Sequence, residues 1–308
     1  MRHVSPVDLA RPSSLRLLAL GLCLAGCATT STAGDRGAVE AEVQDRLKLK
    51  GLTLPDPSDS TELPPELEPL LAQPLTPDAA ARVALLANRS ARAALAELGI
   101  ARGAFVQAGV LPNPHAELDL RAPGGPQPAQ LDLGLDLELT AMVLAPLKQG
   151  VAESQLEAAK WQAAGKLLEL GYVARLKCLA LQGALAREVL RRQALAALEA
   201  SVAAAEELHR VGNLPPRELS TQRAAVELAK LQQLEAKQAV AEAREAFIRA
   251  LGLPAGKSRF EVAALPERLP PPLPAEAAEG AAVAQSLELK AGLELAESAS
   301  RALTLAQT

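Results

Sequence analysis

The side chains that could carry out chemistry are few in this sequence, and they lie far apart. The candidates for metal ligation or nucleophilic attack are three histidines and three cysteines: His3, His115, His209, Cys23, Cys27 and Cys178. They form no CxxC pair and no Cys/His cluster, so a zinc site lacks ligands at a workable spacing. Cys178 stands in a helical run, where a small buried apolar residue is the simplest interpretation.

Two acidic residues and one glycine-containing segment are the remaining candidates. The spacing of Asp132 and Asp136 suggests metal binding or acid–base catalysis, but no histidine or nucleophile accompanies them. Gly256-Lys257-Ser258 lacks the first glycine of a phosphate-binding loop and follows a helix instead of a strand. The sequence therefore predicts a protein that is not an enzyme and needs no cofactor or metal.

Charge and composition narrow the function classes further. The formal net charge is −4, and no basic block with interspersed aromatic residues occurs, so nucleic acid is not an expected partner. Hydrophobic residues make up 49% of the chain and aromatic residues only 2%, so alanine and leucine must supply most of the buried surface. Together with many Glu, Arg, Lys and Gln residues, this composition favours long helices.

The amino-terminal residues look like an export signal. Arginines precede an apolar run at residues 17–22, which is too short to cross a bilayer as a helix. The run leads into Leu24-Ala25-Gly26-Cys27, which resembles the lipobox of bacterial lipoproteins. The resemblance implies that residues 1–26 are a signal peptide and that Cys27 is acylated. The alternative is an ordinary cysteine after a plain secretory signal.

The segment after this cysteine has no sustained hydrophobic period. Ala28, and not aspartate, follows Cys27, which by resemblance favours sorting to the outer membrane. Residues 27–75 are rich in Thr, Pro and Asp, and they are interpreted as a lipid-anchored extended tether. Several acyl chains would make the anchoring stable, because each buried CH₂ contributes roughly 0.8 kcal/mol.

A helix is predicted from residue 76 to residue 108, followed by two strands. Thr76 is its N-cap, Pro77 its first residue and Gly109 its stop. Leucine or alanine then alternates with polar residues over 116–122 and 131–139, and Gly124-Gly125-Pro126 marks the turn between them. One face is apolar and the other mostly acidic. A membrane barrel strand and a soluble hairpin packed on a core share this pattern.

The next segment is predicted to be a very long helical hairpin. One helical pattern continues from about Pro146 to Arg210, and the chain turns at 212–216. The facing heptad positions predict coiled-coil packing; they are Leu195, Leu198, Val202 and Ala205 on the first helix and Val226, Ala229, Gln233, Ala236, Val240, Ala243, Phe247 and Ala250 on the second. A simple helical bundle is the alternative, but it would fold so long a helix back sooner.

A second copy of the first helix is predicted near the carboxyl end. Residues 255–274 form a Pro-rich linker, and a final helix is expected over about 275–306. Residues 94–98 align with residues 291–295 at an offset of 197. Residues 76–254 are therefore interpreted as one repeat and residues 275–308 as the incomplete start of a second.

Several segments in this order resemble the TolC-like outer-membrane efflux family. The opening helix matches at Leu75-Thr76, Ala80, Ala84-Leu85 and Asn88, and Gln107-Ala108-Gly109 with Leu111-Pro112-Asn113-Pro114 matches the entry into the first barrel strand. Arg210, Gly212, Asn213, Leu214 and Leu219 match the turn at the periplasmic tip, and Phe247 with Leu251-Gly252-Leu253 matches the end of the first repeat.

The resemblance implies a mainly α fold, in which a long coiled-coil helical hairpin carries a short β-hairpin that contributes to a trimeric β-barrel/α-barrel channel. It implies a homotrimer in the outer membrane that passes substrate, with a periplasmic adaptor and an inner-membrane pump as partners. The adaptor is expected to dock on Arg210, Gly212, Asn213 and Leu214. The lumen-facing acids are expected to be Glu117, Asp119, Asp132, Asp136 and Glu138.

A second class of function stays open at this point. The expected second hairpin and second helical pair are missing after residue 308, and no aromatic girdle flanks the strands. A structural or scaffolding lipoprotein, tethered by Cys27 and binding partners without conducting, therefore remains the alternative to a channel component.

Overall fold

A computed structural model of the chain describes residues 31–56, 64–121, 130–254, 259–265 and 274–308. Three predictions lie outside these residues: the signal peptide with the acylated Cys27, the turn at Gly124-Gly125-Pro126, and most of the Pro-rich linker. The described elements are eight helices and two strands, in the order α1 Ala33–Leu47, α2 Leu67–Leu71, α3 Pro77–Ala87, α4 Arg89–Ala108, β1 His115–Arg121, β2 Gln130–Asp136, α5 Leu139–Arg210, α6 Pro216–Leu251, α7 Ala275–Gln285 and α8 Leu287–Gln307.

Most of the other helices pack against the long helix α5. It contains 72 residues, which at 1.5 Å per residue corresponds to about 108 Å. It begins at Leu139, seven residues before the predicted start, and Pro146 lies inside it. The proline removes one hydrogen bond from the helix, but the helix continues on both sides of it. The helices α3, α4, α6, α8 and α1 all pack against α5.

The heptad prediction for α5 and α6 is confirmed in the distal half of this hairpin. Leu195 of α5 is buried against Val226 and Ala229 of α6, with Leu198 and Val202 packed beside them. Towards the other end of α6, Phe247 is fully buried in the main core, and Val240 and Ala243 pack against that core. The ring of Phe260 meets Phe247 edge-on, with ring centres 5.5 Å apart.

The first described helix corrects the prediction of an extended tether over residues 27–75. Val39, Val43 and Leu47 lie four residues apart on α1 and are almost completely buried. Leu47 lies so close to Gly171 of α5 that a side chain at residue 171 would begin 2.6 Å from the Leu47 Cδ1 atom. The prediction of an extended segment is wrong here because charged residues occupy the rest of the helix surface and obscure the spacing of the three apolar residues.

An ion cluster around the buried Asp35 links the amino-terminal end of α1 to α4 and α5. The Asp35 carboxylate lies 3.1 Å from the Lys160 ammonium of α5 and 3.5 Å from the Arg102 guanidinium of α4. Desolvation is the largest influence on Lys160 and lowers its pKa. The hydrogen bonds and charges of Glu157 and Asp35 outweigh it, so the net pKa of Lys160 is raised and the side chain stays charged at neutral pH.

The helix predicted over residues 76–108 is two helices, because Asn88 interrupts it. The backbone of Asn88 is extended, its side chain accepts a hydrogen bond from the Ser90 N–H, and its amide nitrogen donates to the Ala250 carbonyl at 3.0 Å. The residue therefore caps α4 and holds the end of α6 at the same time. At the other end, Thr76 caps α3 as predicted by accepting from the Ala79 N–H.

The final helix is interrupted in the same way. Ser286 is extended, and its hydroxyl accepts from the Leu289 N–H, so the helix predicted over residues 275–306 becomes α7 and α8. The short helices α3 and α7 each have 11 residues, and the long ones that follow have 20 and 21. Ser286 lies 198 residues after Asn88. The two helix pairs thus share one architecture, and both α4 and α8 pack on α5.

None of the described helices is long and apolar enough to cross a membrane.

Candidate functional site

The two groups of predicted site residues lie at opposite ends of α5. The strands β1 and β2 precede its first residue, and the turn at Gly212 follows its last. The rise of α5 separates the two ends by about 108 Å. The hairpin and the tip therefore form two separate candidate sites.

The strand register places all the leucines of the hairpin on one face. β1 and β2 are antiparallel, and Leu118 lies opposite Leu133 while Leu120 lies opposite Leu131. Every side chain on this face of the described strands is exposed: Leu118, Leu120, Leu131, Leu133 and Leu135 are between 57% and 78% accessible. The alternative of a hairpin packed on the core of this chain is therefore excluded.

The opposite face carries the predicted lumen acids. Asp119 lies directly opposite Asp132, Glu117 opposite Gly134, and Asp136 opposite His115. The Arg121 guanidinium donates to the Asp119 carboxylate at 2.9 and 3.0 Å, which offsets one of the two facing charges. This face is acidic and open.

The strand prediction was too long at one end. β2 ends at Asp136, so Leu137 and Glu138 lie outside it and Leu139 already belongs to α5. Glu138 is the residue before the helix, and it makes no side-chain capping hydrogen bond. Four of the five predicted acids therefore share the polar face, and the fifth lies at the base of the hairpin.

At the tip, α5 ends in a C-terminal cap whose left-handed residue is Gly212. Gly212 has a φ of +83°, as predicted for a left-handed residue after a helix. Its N–H donates to the His209 carbonyl at 3.0 Å, and the Asn213 N–H donates to the Leu208 carbonyl at 2.8 Å. These two bonds satisfy the last carbonyls of α5 and fix the direction in which the chain leaves the helix.

His209 completes the tip, and the sequence interpretation missed it. Its Nδ1 atom lies 2.7 Å from the Leu214 carbonyl oxygen, which can only accept, so Nδ1 carries the proton. The contact closes the turn from α5 to the start of α6 at Pro216. A histidine five residues before a Leu-Pro-Pro segment was the available signal, but only the folded turn brings the two groups together.

The predicted docking residues have different environments. Arg210, Gly212 and Asn213 are exposed, whereas Leu214 is half-buried. The Arg210 guanidinium pairs with Glu207 at 2.8 Å on the same helix, with both side chains about 70% exposed. The structure thus brings these four residues together on one surface that little else of the chain covers.

Chemical groups elsewhere add no reactive centre in the part of the chain that the structure describes. No group of three or more potential metal ligands occurs there. Cys178 is completely buried beneath the Leu75 carbonyl, and desolvation raises the pKa of its thiol to about 11. The thiol is therefore protonated and unreactive at neutral pH.

No protein-family model matches the sequence, and no curated protein matches it either. Solved structures do match. The outer membrane protein VceC from Vibrio cholerae aligns over 75% of this chain and 58% of its own, with 17% identity and a TM-score of 0.58. The CmeC outer membrane channel of Campylobacter jejuni aligns over 75% of this chain and 53% of its own, with 16% identity and a TM-score of 0.58.

A membrane protein from Pseudomonas aeruginosa aligns over 81% of this chain and 62% of its own, with 18% identity and a TM-score of 0.57. The likeness establishes the fold. This chain spans between 53% and 62% of the length of these three proteins.

Proposed function

We propose that this chain, which has the TolC-like fold, is the outer-membrane channel subunit of a tripartite export system. It acts as a homotrimer, with one hairpin of each protomer in a shared β-barrel and the long helices in a periplasmic α-barrel. An inner-membrane pump supplies the energy, and a periplasmic adaptor bridges the gap.

The observation that carries the proposal is the exposed leucine face of the hairpin. Two isolated strands are at best marginally stable in water. The row of five exposed leucines makes the hairpin less favourable in water, because it leaves a continuous apolar surface in contact with solvent. In a bilayer the same face gains contacts with acyl chains, and neighbouring hairpins satisfy the free strand edges. The alternation of leucine and acid across this sheet suits a barrel with lipid outside and water inside.

The acidic face gives the proposed channel a charge preference. Glu117, Asp119, Asp132 and Asp136 lie on that face, and in a symmetric assembly each acid repeats around the pore. Charges of one sign in a narrow passage raise the local concentration of ions of the opposite sign. The hairpin lumen therefore favours cations.

The tip supports the adaptor part of the proposal. It ends a helix pair that extends well beyond the main core and is held there by its own heptad contacts. Arg210, Gly212, Asn213 and Leu214 offer a cation, open backbone and one half-buried leucine at the end of that pair. Such a surface suits recognition of a second helical hairpin.

The amino terminus is proposed to be anchored by lipid on Cys27. Asp35 contacts Lys160, and Leu47 lies against Gly171. Helix α1 therefore runs parallel to α5, and its amino-terminal end faces the hairpin end of α5. Ala33 is the sixth residue after Cys27 in the sequence, and six residues can span at most about 20 Å. Cys27→Ala should leave an unprocessed or mislocalised precursor. Fatty acid incorporated into that variant would contradict the anchor.

Two neighbouring residues on opposite faces test the channel itself. Leu135→Arg places a charge on the leucine face and should cost roughly 2–4 kcal/mol near the bilayer midplane, so the trimer should fail to assemble in the outer membrane. Asp136→Arg changes the acidic face and should assemble normally while lowering cation preference in single-channel recordings.

Equal damage from both substitutions, or equal tolerance of both, would contradict the assignment of the two faces. If the wild-type chain reaches the outer membrane yet conducts no ions in planar bilayers, the scaffolding function replaces the channel function.

A further inference from the structure

We infer that the lipid-contacting surface does not end with the strands, but continues onto the first two turns of α5 and the segment entering β1. This surface, called the apolar collar here, consists of Val110, Leu111, Leu139, Met142, Val143 and Leu147. The inference rests on the proposed function, because it needs the hairpin to be in a bilayer.

The sequence at the start of α5 is uncharged on every side. Residues 139–147 contain no Asp, Glu, Lys or Arg, and Thr140 is their one polar residue. Glu138 precedes the segment and Lys148 follows it, so charge resumes abruptly at both ends. A helical segment that is apolar all round belongs in a protein core or in lipid.

This segment is not in the core of the chain. Leu139 is 67% accessible and Val143 is 70% accessible, and Met142 and Leu147 complete an exposed stripe at helical spacing. Val110 and Leu111 are also exposed, on the strand-entry segment at the same end of the molecule. The stripe continues the row of leucines directly, through Leu137 to Leu139.

Lipid is a better occupant than a second copy of the chain. Where α5 packs on another helix of its own chain, around Leu195, charged residues such as Arg191 and Glu199 flank the apolar seam. Interfaces between helices keep such flanking charges, because water reaches the edges of the seam. The collar has none, so no side of it is suited to water.

Fluorescence quenching by brominated lipid tests this surface, since the chain has one tryptophan, Trp161. In a Trp161→Phe background, single tryptophans replace Val143 in the collar, Leu135 on the strand and Leu190 far along α5. Leu190 is 63% accessible, so it matches Val143 in exposure. The full-length lipidated proteins are reconstituted in phosphatidylcholine vesicles with plain or brominated acyl chains.

The inference predicts loss of emission in brominated vesicles for the Val143→Trp and Leu135→Trp proteins, and unchanged emission for Leu190→Trp. Quenching at residue 135 without quenching at residue 143 would overturn the collar and leave the proposed channel intact. Absence of quenching at both residues would overturn membrane insertion of the hairpin and with it the proposed function. Met142→Trp replaces Val143→Trp if the latter loses its helical circular dichroism.

Discussion

Two helix ends in this molecule use the same backbone motif in opposite surroundings. Gly212 after α5 and Gly252 after α6 both have a left-handed φ, +83° and +70° respectively. A Cβ atom at Gly252 would lie 2.6 Å from the Asn88 Cα atom, whereas one at Gly212 would meet nothing within 4 Å. One glycine is therefore needed for backbone conformation and for packing, and the other for conformation alone.

Gly252 lies at a contact that stabilises the fold, whereas Gly212 lies on a surface that is available for binding a partner. At Gly252 the end of α6 presses against the break between α3 and α4, and the Asn88 amide donates to the Ala250 carbonyl. At Gly212 the chain has used its own hydrogen bonds to finish the turn and leaves the outer surface uncovered. Substitutions of these two glycines should therefore distort the local backbone to a similar degree, but they should lower the free energy of unfolding by different amounts.

The largest effect is expected for Gly252→Val. The left-handed backbone costs about 1–2 kcal/mol with a side chain, and the collision with Asn88 adds about 1–3 kcal/mol. We expect the free energy of unfolding to fall by about 3 kcal/mol, measured by urea denaturation in detergent. Gly212→Val is the matched control, and an equal loss in both variants would remove the distinction between the two ends.

Asn88→Ala should rank second and can be compared with Ser286→Ala, its counterpart in the second helix pair. Asn88→Ala removes a cap worth about 1 kcal/mol and the hydrogen bond to Ala250, worth about 1 kcal/mol. Ser286→Ala removes only the cap. We expect unfolding free energies lower by about 2 and about 1 kcal/mol. The reverse order would show that Asn88 does not hold the end of α6.

The stops, caps and heptads were predictable because they depend on a few adjacent residues. Thr76-Pro77, the Gly212 stop and the seam at Leu195 and Val226 follow from local residue preferences and helical spacing, and the structure confirms them. The TolC-like fold inferred from these segments is confirmed at the level of fold.

The errors concern features decided by contacts distant in sequence. The burial of α1 depends on Gly171 and Lys160, more than a hundred residues away, and its three apolar residues are too few to stand out among charges. The break at Asn88 is fixed by the Ala250 carbonyl, and the closure of the tip by His209 depends on the turn itself. Docking and lumen roles for the site residues stay predictions.

Gly212→Val should lower the unfolding free energy by only about 1–2 kcal/mol, the cost of a side chain in the left-handed region without a collision. Because the corner is distorted while the heptad seam stays packed, export should fall although the protein remains abundant in the outer membrane. Gly212→Asn is the control, since asparagine tolerates this conformation and should retain export. Normal export by Gly212→Val would remove the corner geometry from the mechanism.

Arg210→Glu should have the smallest effect on stability and the clearest effect on partner binding. Its ion pair with Glu207 is exposed on both sides, and such pairs contribute about 0–1 kcal/mol. Stability should therefore change by no more than about 0.5 kcal/mol, the usual range for surface sites. If the adaptor recognises the cation at the tip, a photo-cross-linker at the exposed Val211 should capture less adaptor in the variant, and export should fall in parallel.

Arg192→Glu is the matched control for this variant. Arg192 is also an exposed arginine on α5, paired with Glu188 at 3.5 Å one turn before it, and it lies about 27 Å from Arg210 along the helix. The two reversals change net charge equally, so only position distinguishes them. Loss of cross-linking in both would indicate a general charge effect, and loss in neither would assign adaptor contact to a surface other than the tip.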